Sequence, residues 1–234
     1  MKQIFTRLIQ LRNPDFKLHQ AVSGNMMLSF GVTTTLQLFR GLKMLLRGRS
    51  PKMMMLGTNV KFRFLTSITY GKYLKAGDNV VFSGLATEGL KLGDNVSIGS
   101  FSQVVASTSL NNPGFGIDLG DRVGIGEFAY LGGGGGLKIG SDCIVGQYFS
   151  CHPENHNFSD TKALIRLQGV SRMGIEIGEG CWIGSKVTIL DGVKIGKHCV
   201  IAAGAVVSRS FEDYSVIGGV PAKLLKQRVQ IIHS

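Results

Sequence analysis

The sequence predicts a mainly β protein whose short strands stack as the rungs of a parallel β-helix. Three observations lead there. An aliphatic residue recurs every six positions, a small or apolar residue follows four places after it, and glycine is unusually abundant at 33 of 234 residues.

The clearest run is Ile177, Ile183, Ile189, Ile195, Ile201 and Val207, each followed four residues on by Cys181, Val187, Val193, Cys199, Ala205 and Phe211. The same register appears upstream in Leu92 with Val96, Leu119 with Val123, Ile125 with Ala129 and Ile139 with Cys143, and weaker copies begin at Ala76. A six-residue step is too short for a helix-pair repeat, and it misses the 3.6 period of an amphipathic helix. A short strand ending in a tight corner fits: the first and fifth residues fill the core, and the glycine after the aliphatic permits the corner. Each rung needs its neighbours for a continuous core. Leu92 to Leu119 and Val145 to Ile177 do not fit whole numbers of steps, so loops are expected to leave the stack at 106–116 and 152–174. The run Gly132 to Gly136 reads as a bulge where backbones approach closely.

Charge divides the chain. Residues 1–75 hold 13 Lys and Arg against the single acid Asp15, a net +12, and the remainder is nearly neutral. Such an arm calls for an anionic partner. Over 35–49 the pattern is helical, with Leu38, Phe39, Leu42, Leu45 and Leu46 on one side and Arg40, Lys43 and Arg47 on the other. This arm either caps the open first coil or contacts the inner face of a membrane, and both roles are compatible. The expected organisation is a basic, partly helical arm over 1–52, the β-helix over 53–219 with its two loops, and a short tail over 220–234.

Cys143, Cys181 and Cys199 fall at an inward repeat position and, with Cys151, show no CxxC spacing, so buried thiols are expected. Neither a signal peptide nor a transmembrane run is evident, which makes the cytoplasm the expected location.

The loop from Ser150 to Asp160 holds His152 and His156, two of the five histidines, beside Glu154 and Asp160. An imidazole with a pKa near 6.5 suits proton abstraction at neutral pH. Either acid could orient it, and Asn155 and Tyr130 are candidate acceptor contacts. Further on come Gly174 to Ser185, with Trp182-Ile183-Gly184, and Tyr214 to Lys223, with Gly219-Val220-Pro221-Ala222-Lys223. Across about 55–225 these motifs and the repeat resemble the hexapeptide-repeat, left-handed β-helix acyltransferase superfamily. The closest likeness is to surface-polysaccharide O-acetyltransferases and to galactoside and maltose acetyltransferases.

That resemblance implies a left-handed parallel β-helix of triangular coils, a homotrimer, acetyl-CoA as co-substrate and direct transfer to a carbohydrate hydroxyl. The Asn155-His156 pair matches the family's base and favours His156, while the proline after His152 speaks for the other. Ser185 and Ala203 fall at positions that line the pantetheine groove. Ser208, Arg209, Lys223 and Lys226 fall where relatives meet the nucleotide end, whose phosphates suit cations. Trp182 is expected at a coil corner or a subunit seam. A xenobiotic acetyltransferase shares all these features, and a scaffold or binding protein is the non-catalytic alternative. A three-histidine zinc site is disfavoured, because only His152 and His156 lie close together, so no metal is expected; the histidine loop and the coenzyme-binding positions argue against a nucleic-acid partner.

Overall fold

The computed structural model describes residues 2–10, 12–13 and 15–228. The chain opens with helices α1 (Lys2–Gln10) and α2 (Gly24–Gly41) and a 3-10 turn, Leu42–Arg47, and then winds as a left-handed β-helix. Parallel rungs build three faces, visited in the same order on every coil. The first face runs from Met55–Leu56 through Ile144–Val145 and Trp182–Ile183 to Ser215–Gly219. The second runs from Lys61–Arg63 through Tyr130–Gly132 and Ser150–His152 to Val206–Val207, and the third from Ile68–Tyr70 to Lys194–Ile195. Ile177 pairs with Ile195 and Ile183 with Ile201, so three six-residue steps make one coil, as the repeat predicts.

The inward column is continuous. Ile177, Ile183, Ile189, Ile195, Ile201 and Val207 are buried with their partners Cys181, Val187, Val193, Cys199 and Ala205. All four cysteines are free and buried, and Cys143, Cys181 and Cys199 each donate to a carbonyl of the adjacent coil.

The corners differ from expectation in one respect. Where glycine follows the aliphatic, as at Gly146, Gly178, Gly184 and Gly196, it is not the left-handed residue. A Cβ on Gly146 would lie 2.6 Å from the Ser185 amide nitrogen, and one on Gly184 would lie 2.6 Å from that of Ala203. Glycine is therefore required there by coil spacing. The left-handed residue comes two positions later and is rarely glycine: Asn79, Phe101, Phe128, Tyr148 and Lys186 at one corner, Asn95, Arg122, Asp142 and His198 at another. That conformation costs an L-residue about 1–2 kcal/mol, and the amide placed by it donates to the preceding coil, as Tyr148 does to Glu127 at 2.9 Å.

A stack of parallel rungs leaves one row of carbonyls unpaired at its open end, and buried or shielded carbonyls need donors. The arm supplies them. Lys43 Nζ donates to Val60 O at 2.6 Å, Arg47 to Phe62 O at 3.3 Å, Arg49 to Ile68 O at 2.7 Å and Lys52 to Tyr70 O at 2.9 Å. Met44 and Met54 complete the seal and are fully buried. The cap is thus made mainly by the basic side of the predicted amphipathic segment. Its apolar side, Phe39, Leu42, Leu45 and Leu46, faces outward. The helix also begins earlier than the pattern over 35–49 suggests, because Ser23 caps it by accepting from the Met26 amide. At the other end Ala222–Gln227 folds back antiparallel on Ser215–Gly219, so the tail extends the first face.

Arg49→Met removes the donor to Ile68 O and is expected to cost about 1–2 kcal/mol, lowering Tm by about 2–8 °C for a domain of this size. Arg40→Met, at an exposed position, should leave Tm unchanged in the same calorimetric scan.

Candidate functional site

Both loops leave the prism at the corner between the second and third faces, and they are stacked on each other through the glycine run. The chain departs after His152 and forms a small antiparallel hairpin, Asn155–His156 against Val170–Ser171. It then makes a 3-10 turn at Ile165–Leu167 and rejoins the third face at Ile175. Gln168 ties the loop internally: its Nε2 donates to Asp160 O at 2.8 Å and Ala163 O at 3.0 Å, and its Oε1 accepts from the Asp160 amide at 3.1 Å.

Two charged residues fix the roots of this loop. Asp191 is buried, and its carboxylate accepts from the amides of Met173 at 3.0 Å and Gly174 at 2.8 Å. Arg172 donates through Nε to Glu154 Oε2 at 3.0 Å and through Nη1 to Pro113 O at 3.0 Å, so it staples the 106–116 loop to the 153–174 loop. Gly132 to Gly136 lies between them. A Cβ on Gly134 would strike the Glu154 carboxylate, and one on Gly135 would strike Pro153 O. The run is the passage through which the two loops approach, in line with the expected bulge.

His156 is exposed on the hairpin, with its backbone paired to Val170. His152 ends its rung, also exposed, and stacks on the Tyr130 ring at 5.6 Å between centroids with 21° between planes. Burial, reinforced by the nearby Glu154 carboxylate, raises the Tyr130 phenol above its ordinary value and keeps it a neutral donor at physiological pH. Asn155 is exposed beside the two histidines. The expected orienting acids are occupied elsewhere: Glu154 pairs with Arg172, and Asp160 Oδ1 accepts from the Lys162 amide at 2.8 Å. Among the described residues neither carboxylate hydrogen-bonds an imidazole.

The positions matched to coenzyme binding fall in separate places on one chain. Ser185 and Ala203 lie on consecutive coils at the corner between the first and second faces, where Ser185 Oγ donates to Gln147 Oε1 at 2.8 Å. Ser208 and Arg209 are exposed at the top of the corner that carries the loops, with Arg209 over the Phe211 ring at 5.2 Å. Lys223 and Lys226 are exposed on the returning terminal strand. Within a single chain, the histidines and the Ser185–Ala203 corner flank opposite edges of the second face. Trp182, 59% exposed, stands on the first face between Ile144 and Val200, so it does not pack at a coil corner of its own chain. Among the described residues no group of three His, Cys, Asp or Glu is placed to hold a metal ion.

Sequence reasoning missed Asp191 and Arg172. Asp191 sits in Leu190-Asp191-Gly192, where a coil corner is expected, and that reading hides its long-range acceptor role. Arg172 sits in a loop whose path no periodicity predicts.

Residues 174–209 match the family described as bacterial transferase hexapeptide (six repeats). A probable acetyltransferase of Mycobacterium tuberculosis is 35% identical over 92 residues, covering 39% of this chain and 31% of that protein. WbbJ of Escherichia coli, named for O-acetyl transfer in lipopolysaccharide biosynthesis, is 30% identical over 98 residues, covering 39% of this chain and 50% of that protein. The chain thus spans half or less of these relatives' lengths. Among solved structures, a hexapeptide-repeat acetyltransferase of Vibrio cholerae in complex with acetyl coenzyme A superposes with a TM-score of 0.50 at 24% identity, covering 58% of this chain and 70% of the other.

Asp191→Ala removes the acceptor of two root amides, a bond to a charged group generally worth about 1.5–3 kcal/mol. Amide exchange should accelerate across 155–174 while the rungs over 177–207 keep their protection, measured by hydrogen–deuterium exchange.

Proposed function

We propose that this hexapeptide-repeat, left-handed β-helix protein is an acetyl-CoA-dependent O-acetyltransferase. Its acceptor is a sugar hydroxyl of a surface polysaccharide or of the lipid-linked precursor. The observation that carries this reading is the histidine-bearing loop, clamped at both roots by Asp191 and Arg172 beside a solvent-open aromatic, Tyr130. Such clamps hold the backbone that carries His156 in a set place at the loop-bearing corner, and positional catalysis starts from a base placed in that way. The Vibrio cholerae neighbour was crystallised with acetyl-CoA, and the Escherichia coli relative is named for lipopolysaccharide acetylation; both support the choice of donor and acceptor.

The chemistry is a single transfer. The neutral imidazole of His156 takes the proton of the acceptor hydroxyl as that oxygen attacks the thioester carbonyl. The tetrahedral oxyanion is held by a backbone N–H, a donor worth about 3–4 kcal/mol at this stage. Collapse breaks the carbon–sulfur bond, and the coenzyme thiolate leaves with the proton returned by the imidazolium. Pantetheine lies along Ser185 and Ala203 of one subunit, while Lys223 and Lys226, and Ser208 and Arg209 from the loop-bearing corner of the neighbouring subunit, meet the phosphates. Tyr130 and Asn155 contact the sugar. Because the histidine loop and the Ser185–Ala203 corner lie at opposite edges of one face, a homotrimer completes the site, one subunit supplying the base and the next the thioester groove. Trp182 and Ile144, 59% and 67% exposed on the first face, supply apolar surface for that seam.

Thiol release from acetyl-CoA, measured against a panel of surface glycans and their lipid-linked precursors, tests the reading. His156→Ala is expected to lose about 10²–10⁴ in turnover, the usual worth of a general base, while coenzyme binding persists. Full activity in that variant with loss in His152→Ala assigns the base to His152. Transfer to small antibiotics instead of glycans makes the protein a xenobiotic acetyltransferase, and no transfer with any acceptor overturns the proposal.

A further inference from the structure

Helix α2 is a conspicuous exception to the burial rules the rest of the chain obeys. From Gly24 to Phe39 it carries no charged residue, yet only Met27 and Gly41 of the whole helix are buried. A helix this apolar is ordinarily enclosed. Its side chains instead form a stripe continued by the following turn. Leu28, Val32, Leu36, Phe39, Leu42 and Leu46 recur at spacings of four, four, three, three and four, which puts them on one side. They are 69%, 52%, 49%, 65%, 44% and 91% exposed. Beside the stripe, α1 approaches through Phe5, whose ring meets Phe30 edge-on at 5.9 Å. Between the two helices lies an apolar groove of about 470 Å³.

Charge selects the occupant. The first 75 residues carry +12, and part of that charge is spent on first-coil carbonyls by Lys43, Arg47, Arg49 and Lys52. Lys2, Arg7, Lys17 and Arg40 remain exposed on the same arm. A second copy of this arm would bring the same positive charge against it. An anionic bilayer offers both complements, apolar depth for the stripe and negative headgroups for the cations. Among the described residues no helix is long and apolar enough to cross a membrane, which leaves the interfacial plane.

We infer that α2 and the turn Leu42–Arg47 form a membrane-surface anchor, lying in the headgroup region of an anionic bilayer with the Leu28–Leu46 stripe inserted. The cap bonds fix the anchor to the first coil, so the prism is held by its N-terminal end. This goes beyond the catalytic reading and does not depend on it, since vesicle binding is measured without turnover.

The test is flotation of the full-length protein with vesicles of equal parts phosphatidylcholine and phosphatidylglycerol, alongside vesicles of phosphatidylcholine alone. The wild type should float with the mixed vesicles, and much less with the neutral ones or in high salt. The combined variant Leu28→Ser, Phe39→Ser, Leu46→Ser, changed only at exposed positions, should lose binding by about tenfold or more, in keeping with removal of most of the inserted apolar area. Its circular dichroism and melting should be unchanged, and acetyl transfer to a soluble acceptor should persist. Flotation unaffected by the triple substitution overturns the proposal. So does a wild type that fails to float, or a variant that changes only the oligomeric state in sedimentation velocity, which would assign the stripe to contacts between copies.

Discussion

Neighbouring coils are joined along all three faces by backbone bonds of 2.8–3.2 Å, such as Gly146 N to Ile183 O at 2.8 Å and Glu176 N to Val193 O at 3.1 Å. That pairing holds successive rungs about 4.8 Å apart. At this spacing a corner residue facing the next coil has no room for a Cβ, so glycine follows the inward aliphatic. The turn itself can then be made by a bulkier residue in a left-handed conformation. Phe101, Phe128 and Tyr148 show the outcome: their rings stack at 5.1 and 5.0 Å between centroids, tracking the rung repeat along the corner. The cost of the backbone conformation is offset by the amide it aims at the preceding coil.

The same pairing decides what happens at the ends and at the loops. Rungs at the open end have carbonyls with no coil beneath them, and the arm answers with four cationic side chains. Four of the thirteen basic residues that the sequence alone assigns to an anionic partner therefore serve the fold. What is left over, beside an uncovered apolar stripe, is the part that needs another explanation. At the loop-bearing corner, two insertions must still pass between coils held at rung spacing. The five glycines at 132–136 leave that gap open, and Arg172 fills its edge by joining Glu154 to Pro113.

The fold was legible because its signal is periodic. Ile177 through Val207 repeats an inward requirement at a spacing no helix satisfies, and the loops showed as breaks in that register. The helical stretch near Leu38 to Arg47 was also visible, but which side faces the coil was not. The unpaired carbonyls drew Lys43, Arg47, Arg49 and Lys52 to the coil and left Leu42, Leu45 and Leu46 outside. The histidines marked the insertion as the candidate site, since imidazoles clustered in an insertion are rare and chemically expressive. Its supports were not. Asp191 and Arg172 act on residues 17 to 59 positions away in sequence, and nothing local marks a carboxylate as the acceptor for a distant loop root.

A prism built this way is stiff, and stiffness limits what one chain can do alone. A rung of three residues on the second face, such as Ser150–His152, spans about 10 Å, and no hinge interrupts it. The corner carrying Ser185 and the corner releasing the histidine loop are held at that separation by every coil above and below. Closure by domain motion, the usual way an enzyme brings donor and base together, is closed to this architecture. The assembly proposed above answers that constraint by setting the edge of another prism alongside. In the proposed assembly the exposed Ile144 and Trp182 on the first face and the clamped loop at the far corner serve together: the apolar face seats the neighbouring prism, and the loop projects toward the groove that prism carries.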